Sequence, residues 1–409
     1  MGKNKPKVTI LGGSTPYTLV LLEGMKNSKH FPPCRIVFHG RSRDCLEIIS
    51  KYAGYHLLPL GWSVDWTECF EEAVSDADYI LHQVRYGGLE LREKAEKLAQ
   101  RLGVNADETL GISALFTSIQ TLPDIVAFAK KLKELSCKAC IINLTNPLSL
   151  TTHIISSYVK NVVGLCELPY HTVKKMCNYL DIPIERVNWS YSGLNHRGFV
   201  TKLELGGIDY LSKFINKICQ DEYFEGIPGS VIKELGAVPT KYFKFFLENT
   251  PFSESRAPYL SNLRIRAFEE LKKTPFSLPK CLGERYTAWY PEAVIPFMEG
   301  LLSCAPCCPL AVNLPINGLV QEVKGLAVNG QIFVADPNEP VDNTKLEIYL
   351  SSFKKQELAV MDAALDPSYV NIRKAVALDE SIPKASLDFC AEELTQALRK
   401  FNHEAINCG

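Results

Sequence analysis

A thiol and an imidazole stand at the ends of two apolar segments of this chain. Cys166 closes the run "NVVGLC" and is followed by Glu167, and His196 lies 30 residues further on, in "YSGLNHRGF". Sulfur and imidazole nitrogen both bind divalent transition metals, and two protein ligands would leave positions open for substrate oxygens. Two interpretations remain open: a pair of metal ligands, or a buried structural thiol and an ordinary histidine.

A second group of candidates follows the first apolar run. "ILGGSTPYT" places two glycines between a strand and a helix, where backbone N–H groups and the helix N-terminus can hold a pyrophosphate. The candidate cofactor-binding residues of this loop are Gly12, Gly13, Ser14 and Thr15. The full G-x-G-x-x-G pattern is absent, so a plain tight turn is the alternative.

The second predicted strand ends in "FHGRSRD", which carries Arg41 and Arg43 where an NAD-binding domain has an acidic residue. Arginine suits the geometry of a phosphate group, including a 2′-phosphate on the adenosine ribose. The pattern therefore predicts a dinucleotide cofactor and leaves NAD, NADP and two solvated arginines as open interpretations of this loop.

Two amides lie at the end of a later strand, in "INLTNPLS". Asn143 and Asn146 could hydrogen-bond a ligand or the cofactor across a cleft at this sheet edge. The alternative for Asn146 is a helix cap, because Pro147 suits the first turn of a helix.

A β-sheet would bring these candidate residues together, and the first 165 residues have the sequence pattern of such a sheet. Short β-branched runs alternate with helical stretches, which is typical of a doubly wound parallel sheet of the Rossmann type. The predicted strands are Lys7–Gly13, Arg35–Gly40, Ala77–Val84, Ala139–Pro147 and Asn161–Cys166.

From about Arg197 the pattern changes to one strand, long helical stretches, a short strand-rich piece and a largely helical end. The helical stretches are predicted around Ile232–Leu247, Leu260–Lys272, Pro291–Leu302 and Asn343–Phe401. With no linker rich in Pro, Gly or Ser, we expect two tightly packed domains: residues 1–195 for the dinucleotide and 196–409, of mixed α/β structure, for substrate and metal.

The composition limits the classes of function. The 409 residues are 46% hydrophobic, and 45 basic against 46 acidic residues leave a formal charge of −1. This net charge gives no overall electrostatic attraction to nucleic acid or to an anionic membrane, so a small neutral or anionic ligand is the expected partner. No apolar run has the length of a membrane span, and the N-terminal apolar run is too short for a secretory signal, which predicts a cytoplasmic protein.

The 14 cysteines are expected to be reduced thiols. The two C-x-x-C pairs, Cys137 with Cys140 and Cys304 with Cys307, lack zinc-ribbon spacing and are interpreted as structural.

Seven short motifs, taken in order, resemble the signatures of glycoside hydrolase family 4. They are "GGSTPYT", "RYGGLELREKAEKLAQRLGV", "DETLG", "LTNPLS", "GLCELP", "GLNHRGF" and "VNLPING". The resemblance implies a Rossmann domain followed by a lactate-dehydrogenase-like α+β C-terminal domain. It also implies an NAD- and metal-dependent glycosidase, with Mn²⁺ as the usual ion. Such enzymes are an exception to the two-carboxylate rule for glycosidases. The implied reaction runs through oxidation at C3, metal-assisted elimination, water addition and re-reduction.

The resemblance also implies roles for individual residues. Cys166 and His196 would be the metal ligands, and Glu167 the acid, although a glutamate departs from the family's usual Asp or Asn. Tyr290, five residues after Arg285, would be the base, with Tyr286 as a rival. The substrate-binding residues would be Arg92, Asn146, Asn195 and Arg285, with Asn146 also near the cofactor.

The resemblance favours small 6-phosphorylated glycosides, because the family's 6-phospho enzymes also carry proline where this chain has Pro169. It also implies a homodimer or homotetramer. Departures from the family pattern cluster at the cofactor loop and at Asp107, which replaces a glutamine. Two alternatives therefore stay open: a simple NAD(P)-dependent dehydrogenase of a hydroxy acid or polyol, and a degenerate homologue that only binds sugar or nucleotide.

Overall fold

The computed structural model describes residues 5–135, 137–218, 222–249, 253–303, 309–334 and 343–407, with the backbone alone from residue 402 onward. The strands of the N-terminal half are β1 (Lys7–Leu11), β2 (Arg35–His39), β3 (Ser63–Thr67), β4 (Tyr79–His82), β5 (Cys140–Asn143), β6 (Val162–Leu165) and β7 (Asn188–Leu194). The later strands are β8 (Arg197–Leu205), β9 (Ile208–Asp209), β10 (Tyr223–Phe224), β11 (Ile227–Pro228), β12 (Val238–Pro239), β13 (Leu310–Ile316), β14 (Leu319–Val328) and β15 (Gln331–Val334).

Helices cover both faces of the sheet. The first seven are α1 (Thr18–Asn27), α2 (Arg43–Leu57), α3 (Phe70–Val74), α4 (Gly88–Arg101), α5 (Gly111–Glu134), α6 (Leu148–Ser156) and α7 (Leu168–Leu180). The others are α8 (Tyr210–Lys217), α9 (Gly229–Leu235), α10 (Lys244–Leu247), α11 (Ala257–Lys273), α12 (Ile295–Leu302), α13 (Thr344–Leu365), α14 (Tyr369–Ala377) and α15 (Leu387–Asn407). A π-helical turn, Tyr290–Val294, leads into α12.

One mixed sheet runs through the described part of the protein. Six parallel strands in the order β3-β2-β1-β4-β5-β6 form the Rossmann half, and antiparallel strands continue from β6 through β13, β14, β7 and β8 to β12. Parallel strands buried on both faces read as continuous apolar runs, which explains the β-branched segments of the first half. Val8 and Ile10 of β1 pack into one core cluster while Leu11 of the same strand packs into another.

The predicted fold class is confirmed, and the sheet is continuous across the predicted domain boundary. Residues 195 and 196 form the turn between β7 and β8, which pair from Leu194 with Arg197 outward. The assignment of separate nucleotide and substrate domains therefore stays a prediction.

Two details of the predicted secondary structure are wrong. The stretch Ile232–Leu247 is not one helix: α9 ends before Gly236, which has a φ of +63°, and the short strand β12 follows. A residue in the left-handed region terminates a helix, and glycine takes that conformation without strain. Strands β3 and β7 were not predicted, because their polar residues obscure the apolar pattern.

Helix α5 corrects the expectation that no segment has the length of a membrane span. Gly111–Glu134 is long and apolar enough by length and composition, but 61% of its most apolar window is buried inside the protein. That burial is typical of a core helix.

The cysteines that the structure describes are free thiols, in agreement with the sequence. Cys137 and Cys140 are among them, whereas Cys304 and Cys307 lie outside the described residues.

Candidate active site

A cavity of ≈ 1480 Å³ opens at the carboxyl edge of the parallel strands. Residues that directly follow β1, β2, β4, β5 and β6 line it, which is where open α/β sheets bind ligands. Pockets for single small ligands measure roughly 300–1,000 Å³. This cavity therefore has room for more than one small molecule.

The glycine loop forms one wall of the cavity. Gly12 has a φ of +81°, and a Cβ there would stand 2.7 Å from the backbone oxygen of Gln83. Gly12, Ser14 and Thr15 line the cavity, whereas Gly13 is buried and donates its N–H to the carbonyl of His39 at 2.8 Å. Gly13 therefore packs the loop against β2, whereas Gly12, Ser14 and Thr15 face the cavity.

The two arginines after β2 separate in the structure. Arg41 is exposed at the cavity rim and makes no ion pair within the described chain. Arg43 begins α2, where its Nε lies 3.0 Å from Glu47 and its guanidinium 5.6 Å from the Trp66 ring, and it does not line the cavity. Only Arg41 is placed to contact a ligand in this cavity.

Cys166 and His196 line the same cavity although they come from different parts of the sheet. Cys166 directly follows β6 and is 6% exposed, and His196 lies in the β7–β8 turn. His196 has a φ of +65°, a conformation uncommon for any residue but glycine and found at functional sites. Its Nδ1 lies 3.4 Å from Asp107 Oδ1.

The surroundings of Cys166 fit a bound cation. Burial, followed by the nearby carboxylates of Glu167 and Glu322, raises the pKa of the Cys166 thiol well above its usual value. The Asn195 amide donates to Cys166 and to Glu322, and its buried Oδ1 has no partner among the described atoms. A cation would favour the thiolate and give that oxygen a partner.

The ligand set is small. No cluster of three or more His, Cys, Asp or Glu side chains with metal-binding geometry occurs in the described parts of the chain. In these parts no third such side chain joins Cys166 and His196 in a metal-binding cluster, and their assignment as a pair of metal ligands stays a prediction.

Arg92 also lines the cavity, but its guanidinium is already paired with carboxylates of the protein. Its guanidinium pairs with Glu96 at 2.8 Å and with Glu108. Glu108 also accepts from Arg85 at 3.3 Å and from the Asn146 amide at 3.2 Å. Burial alone would raise the pKa of Glu108, but Arg85 and Arg92 outweigh it and hold that pKa well below its usual range. The cluster fixes Asn146 at the cavity wall.

The two predicted asparagines differ in role. Asn143 is fully buried and bonds His82 and Thr152, so its part is structural. Asn146 lines the cavity, and Pro147 rather than Asn146 occupies the capping position of α6.

Three tyrosines are candidates for the catalytic base. The Tyr290 hydroxyl donates to Gln83 at 2.8 Å, beside the glycine loop, and burial raises the pKa of Tyr290 to about 12. Tyr286 is 65% exposed and donates to Glu292.

The third tyrosine, Tyr242, was missed in the sequence. Its ring stacks on His196 at 4.3 Å between centroids, and it lines the cavity. Burial, then the charges of Asp107 and Cys166, raise the pKa of Tyr242. The aromatic run "KYFKFF" that contains Tyr242 was the only signal available, and its spacing was interpreted as part of a helix.

Glu292, in the π-helical turn, ties that turn to α7. Its carboxylate accepts from His171 Nδ1 at 2.7 Å, from Lys174 at 2.8 Å and from Tyr286 at 2.9 Å. Burial alone would raise the pKa of Glu292, but these three hydrogen bonds lower the pKa to about 2. The arrangement joins the segment after Cys166 to the segment that contains Tyr290.

Glu292→Gln is expected to lower the free energy of unfolding by about 3 kcal/mol at neutral pH. A carboxylate whose pKa is lowered by folding stabilises the fold fully at pH values above its pKa in the unfolded chain, which is near 4.5. This stabilisation is lost as the pH falls towards 2, the pKa in the folded protein. Urea unfolding should therefore show a smaller difference from the unsubstituted protein at pH 3.5 than at pH 7. Glu47→Gln, at an exposed surface pair, is the matched control. A difference that does not shrink in acid would contradict the assigned ionisation.

The chain is similar in sequence to known glycoside hydrolases. The model of the "Family 4 glycosyl hydrolase" matches residues 7–182. The "Probable 6-phospho-beta-glucosidase" of Bacillus subtilis is 28% identical over 313 residues, which cover 70% of this chain and 71% of that protein.

Solved structures show the same fold. The 6-phospho-beta glucosidase of Thermotoga maritima, solved with NAD and glucose-6-phosphate, superposes with a TM-score of 0.81 at 22% identity, covering 96% of this chain and 98% of that one. The same enzyme has also been solved with manganese, NAD⁺ and glucose-6-phosphate. A malate dehydrogenase of Plasmodium falciparum, at 14% identity, superposes with a TM-score of 0.54 and covers 88% of this chain and 99% of its own.

The fold is thus that of a Rossmann domain with a dehydrogenase-like C-terminal half. The match to the family 4 model covers residues 7–182, and the resemblance of the sequence motifs to glycoside hydrolase family 4 is confirmed.

Proposed function

We propose that this protein cleaves small 6-phosphorylated glycosides with the help of a nicotinamide cofactor and a divalent metal ion. One observation carries the proposal: the glycine loop and the Cys166–His196 pair, remote from each other in sequence, line one cavity. The resemblance to family 4 implies dependence on NAD and a divalent ion, and similar folds have been solved with NAD and manganese. Relatives of the chain are named 6-phospho-beta-glucosidases. Glucose-6-phosphate bound in the Thermotoga enzyme supports a phosphorylated substrate.

The cofactor and the ion would supply redox chemistry at C3 of the sugar and would make its C2 proton acidic enough to remove. The chain's own residues bind and move protons. Gly12, Ser14 and Thr15 would hold the cofactor's pyrophosphate, and Cys166 and His196 would hold the ion.

Tyr242 is the better candidate for the base that removes the C2 proton. It stacks on His196, beside the proposed ion, whereas the Tyr290 hydroxyl is committed to Gln83 on the cofactor side. The implied assignment of Tyr290 as the base therefore acquires a second rival besides Tyr286, and mutation can separate Tyr242 from Tyr290.

Arg285 is the clearest candidate for an anionic substrate group. Its guanidinium lies 4.9 Å from the ring centroids of both Tyr17 and Trp289, and it forms no ion pair within the described residues. Two aromatic faces hold the side chain rigid without neutralising it. Arg92 and Asn146, fixed by Glu108, and Asn195, beside Cys166, would contact the sugar.

The direct test is incubation with Mn²⁺, NAD⁺ and nitrophenyl 6-phosphoglycosides of both anomers in deuterated buffer. Nitrophenol release with deuterium at C2 of the sugar is the expected result. Release without that deuterium would refute the mechanism. Net formation of reduced cofactor would support the dehydrogenase alternative, and tight cofactor binding without turnover the binding-only alternative.

Cofactor choice rests on Arg41, because the acidic residue that usually binds the adenosine ribose of NAD is absent. If Arg41 contacts a 2′-phosphate, Arg41→Ala should weaken NADP⁺ binding about 10-fold and leave NAD⁺ binding unchanged. Fluorescence titration of both cofactors measures this directly. Arg43→Ala is the matched control, since Arg43 does not line the cavity. Equal effects on both cofactors would place Arg41 away from the ribose.

A cytoplasmic location and a homodimer or homotetramer complete the proposal. They rest on the resemblance to the family. Light scattering at several protein concentrations measures the oligomeric state.

A further inference from the structure

His171 is a cavity-lining residue to which neither the sequence motifs nor the resemblance assigns a role. It lies on α7, one helical turn after Glu167, whose carbonyl accepts the His171 N–H at 2.8 Å. Its Nδ1 is bound to Glu292. Its Nε2 makes no hydrogen bond to the described residues and is not among the enclosed atoms that lack a partner. The free nitrogen is therefore accessible.

Glu292 fixes the orientation of this imidazole. The Glu292 side chain is only 4% exposed, and its second oxygen is held by Lys174 and Tyr286. A buried, ionised carboxylate that accepts from Nδ1 determines the tautomer and directs Nε2 away from itself. Such carboxylate–histidine pairs are arranged for proton transfer at Nε2.

The other polar groups around His171 are consistent with that use. Tyr286, which also lines the cavity, has its ring centroid 6.5 Å from that of His171, and Glu167 is the N-cap residue of α7. A purely structural ion pair between α7 and the π-helical turn would need only Lys174 and Glu292. An imidazole with an accessible nitrogen at the cavity adds a group that can exchange protons with a bound ligand.

We propose that His171 is a catalytic residue that protonates the leaving group of the glycoside. In the elimination step the bond between C1 and the leaving oxygen breaks and a base takes the C2 proton. The imidazolium form of His171 gives its Nε2 proton to the leaving oxygen and becomes the neutral ring that still donates from Nδ1 to Glu292. In the addition step a water oxygen bonds to C1, C2 regains a proton, and the water's other proton returns to Nε2. This inference rests on the proposed function and would replace Glu167 as the acid.

The test compares elimination with exchange at C2. A variant without the acid can still lose and regain the C2 proton but expels a poor leaving group slowly. The assay is run in deuterated buffer with Mn²⁺ and NAD⁺, and it measures the ratio of two quantities: deuterium at C2 of the recovered substrate, and the amount of substrate cleaved. For His171→Gln acting on an alkyl 6-phosphoglucoside, this ratio should rise about 100-fold. For the dinitrophenyl analogue, whose leaving group needs no proton, the ratio should stay within about 3-fold of that of the unsubstituted protein.

Glu167→Gln is assayed beside it, and His56→Gln, at a surface histidine outside the cavity, is the control for the substitution itself. An unchanged ratio in His171→Gln, or a rise in Glu167→Gln alone, would overturn the inference while leaving the proposed function intact. If the unsubstituted protein cleaves neither substrate, the proposed function itself fails. Failure of the two proposals is therefore distinguishable.

Discussion

Cys166→Ser is expected to remove nearly all divalent-metal-dependent activity. Loss of groups that only orient a metal ligand costs about 10- to 100-fold in affinity or activity, and loss of a ligand should cost more, so we expect a decrease of at least about 1,000-fold. Serine keeps the size of the side chain but is a poor ligand for a transition metal. The binding of Mn²⁺, followed by the electron paramagnetic resonance signal of the free ion, should weaken in parallel.

His196→Asn is the partner experiment for the second ligand. Asparagine tolerates the positive φ of this position, whereas alanine would add backbone strain to the lost imidazole. The control is Cys45→Ala, which removes a thiol that does not line the cavity. If Cys166→Ser and His196→Asn bind Mn²⁺ with unchanged affinity and remain active, the two side chains are not metal ligands.

Tyr242→Phe is expected to lower kcat by about 100- to 10,000-fold, the usual contribution of a positioned acid or base. The loss should be accompanied by loss of deuterium exchange at C2, because the same proton transfer controls both. NAD⁺ and Mn²⁺ affinities should change little, since the hydroxyl alone is removed and the ring can still stack on His196.

Tyr290→Phe is the matched comparison. It removes the hydrogen bond to Gln83, whose backbone oxygen packs against Gly12, so the expected effect is about 5-fold weaker cofactor binding, with C2 exchange retained. Loss of exchange in Tyr290→Phe but not in Tyr242→Phe would return the base to Tyr290. The two variants thus give opposite results for the two assignments.

Local pattern was enough to predict several residues that line the cavity. Gly12, Ser14 and Thr15 were singled out because a glycine loop between a strand and a helix can hold a pyrophosphate, and all three line the cavity. Cys166 and His196 were singled out because each stands next to an apolar run, and both line the cavity. The parallel sheet itself was predictable, since strands buried on both faces leave continuous apolar runs in the sequence.

Other residues could not be predicted, because their contacts join distant parts of the chain. Arg41 and Arg43 were equivalent in the sequence, and only the start of α2 turns Arg43 towards Glu47 and Trp66. Asn143 and Asn146 were both expected to hydrogen-bond a ligand or the cofactor. In the structure Asn143 is instead buried and hydrogen-bonded to His82 and Thr152.

The amino-acid sequence by itself determined the Rossmann fold class, the glycine loop after β1 and the family resemblance, because these depend on local periodicity and short motifs. Only the tertiary structure decided that Tyr242 stacks on His196 and that Glu292 holds His171 at the cavity. The latter pair is 121 residues apart in the chain. Contacts of this kind depend on how helices and turns pack on the sheet, and no local pattern encodes that packing.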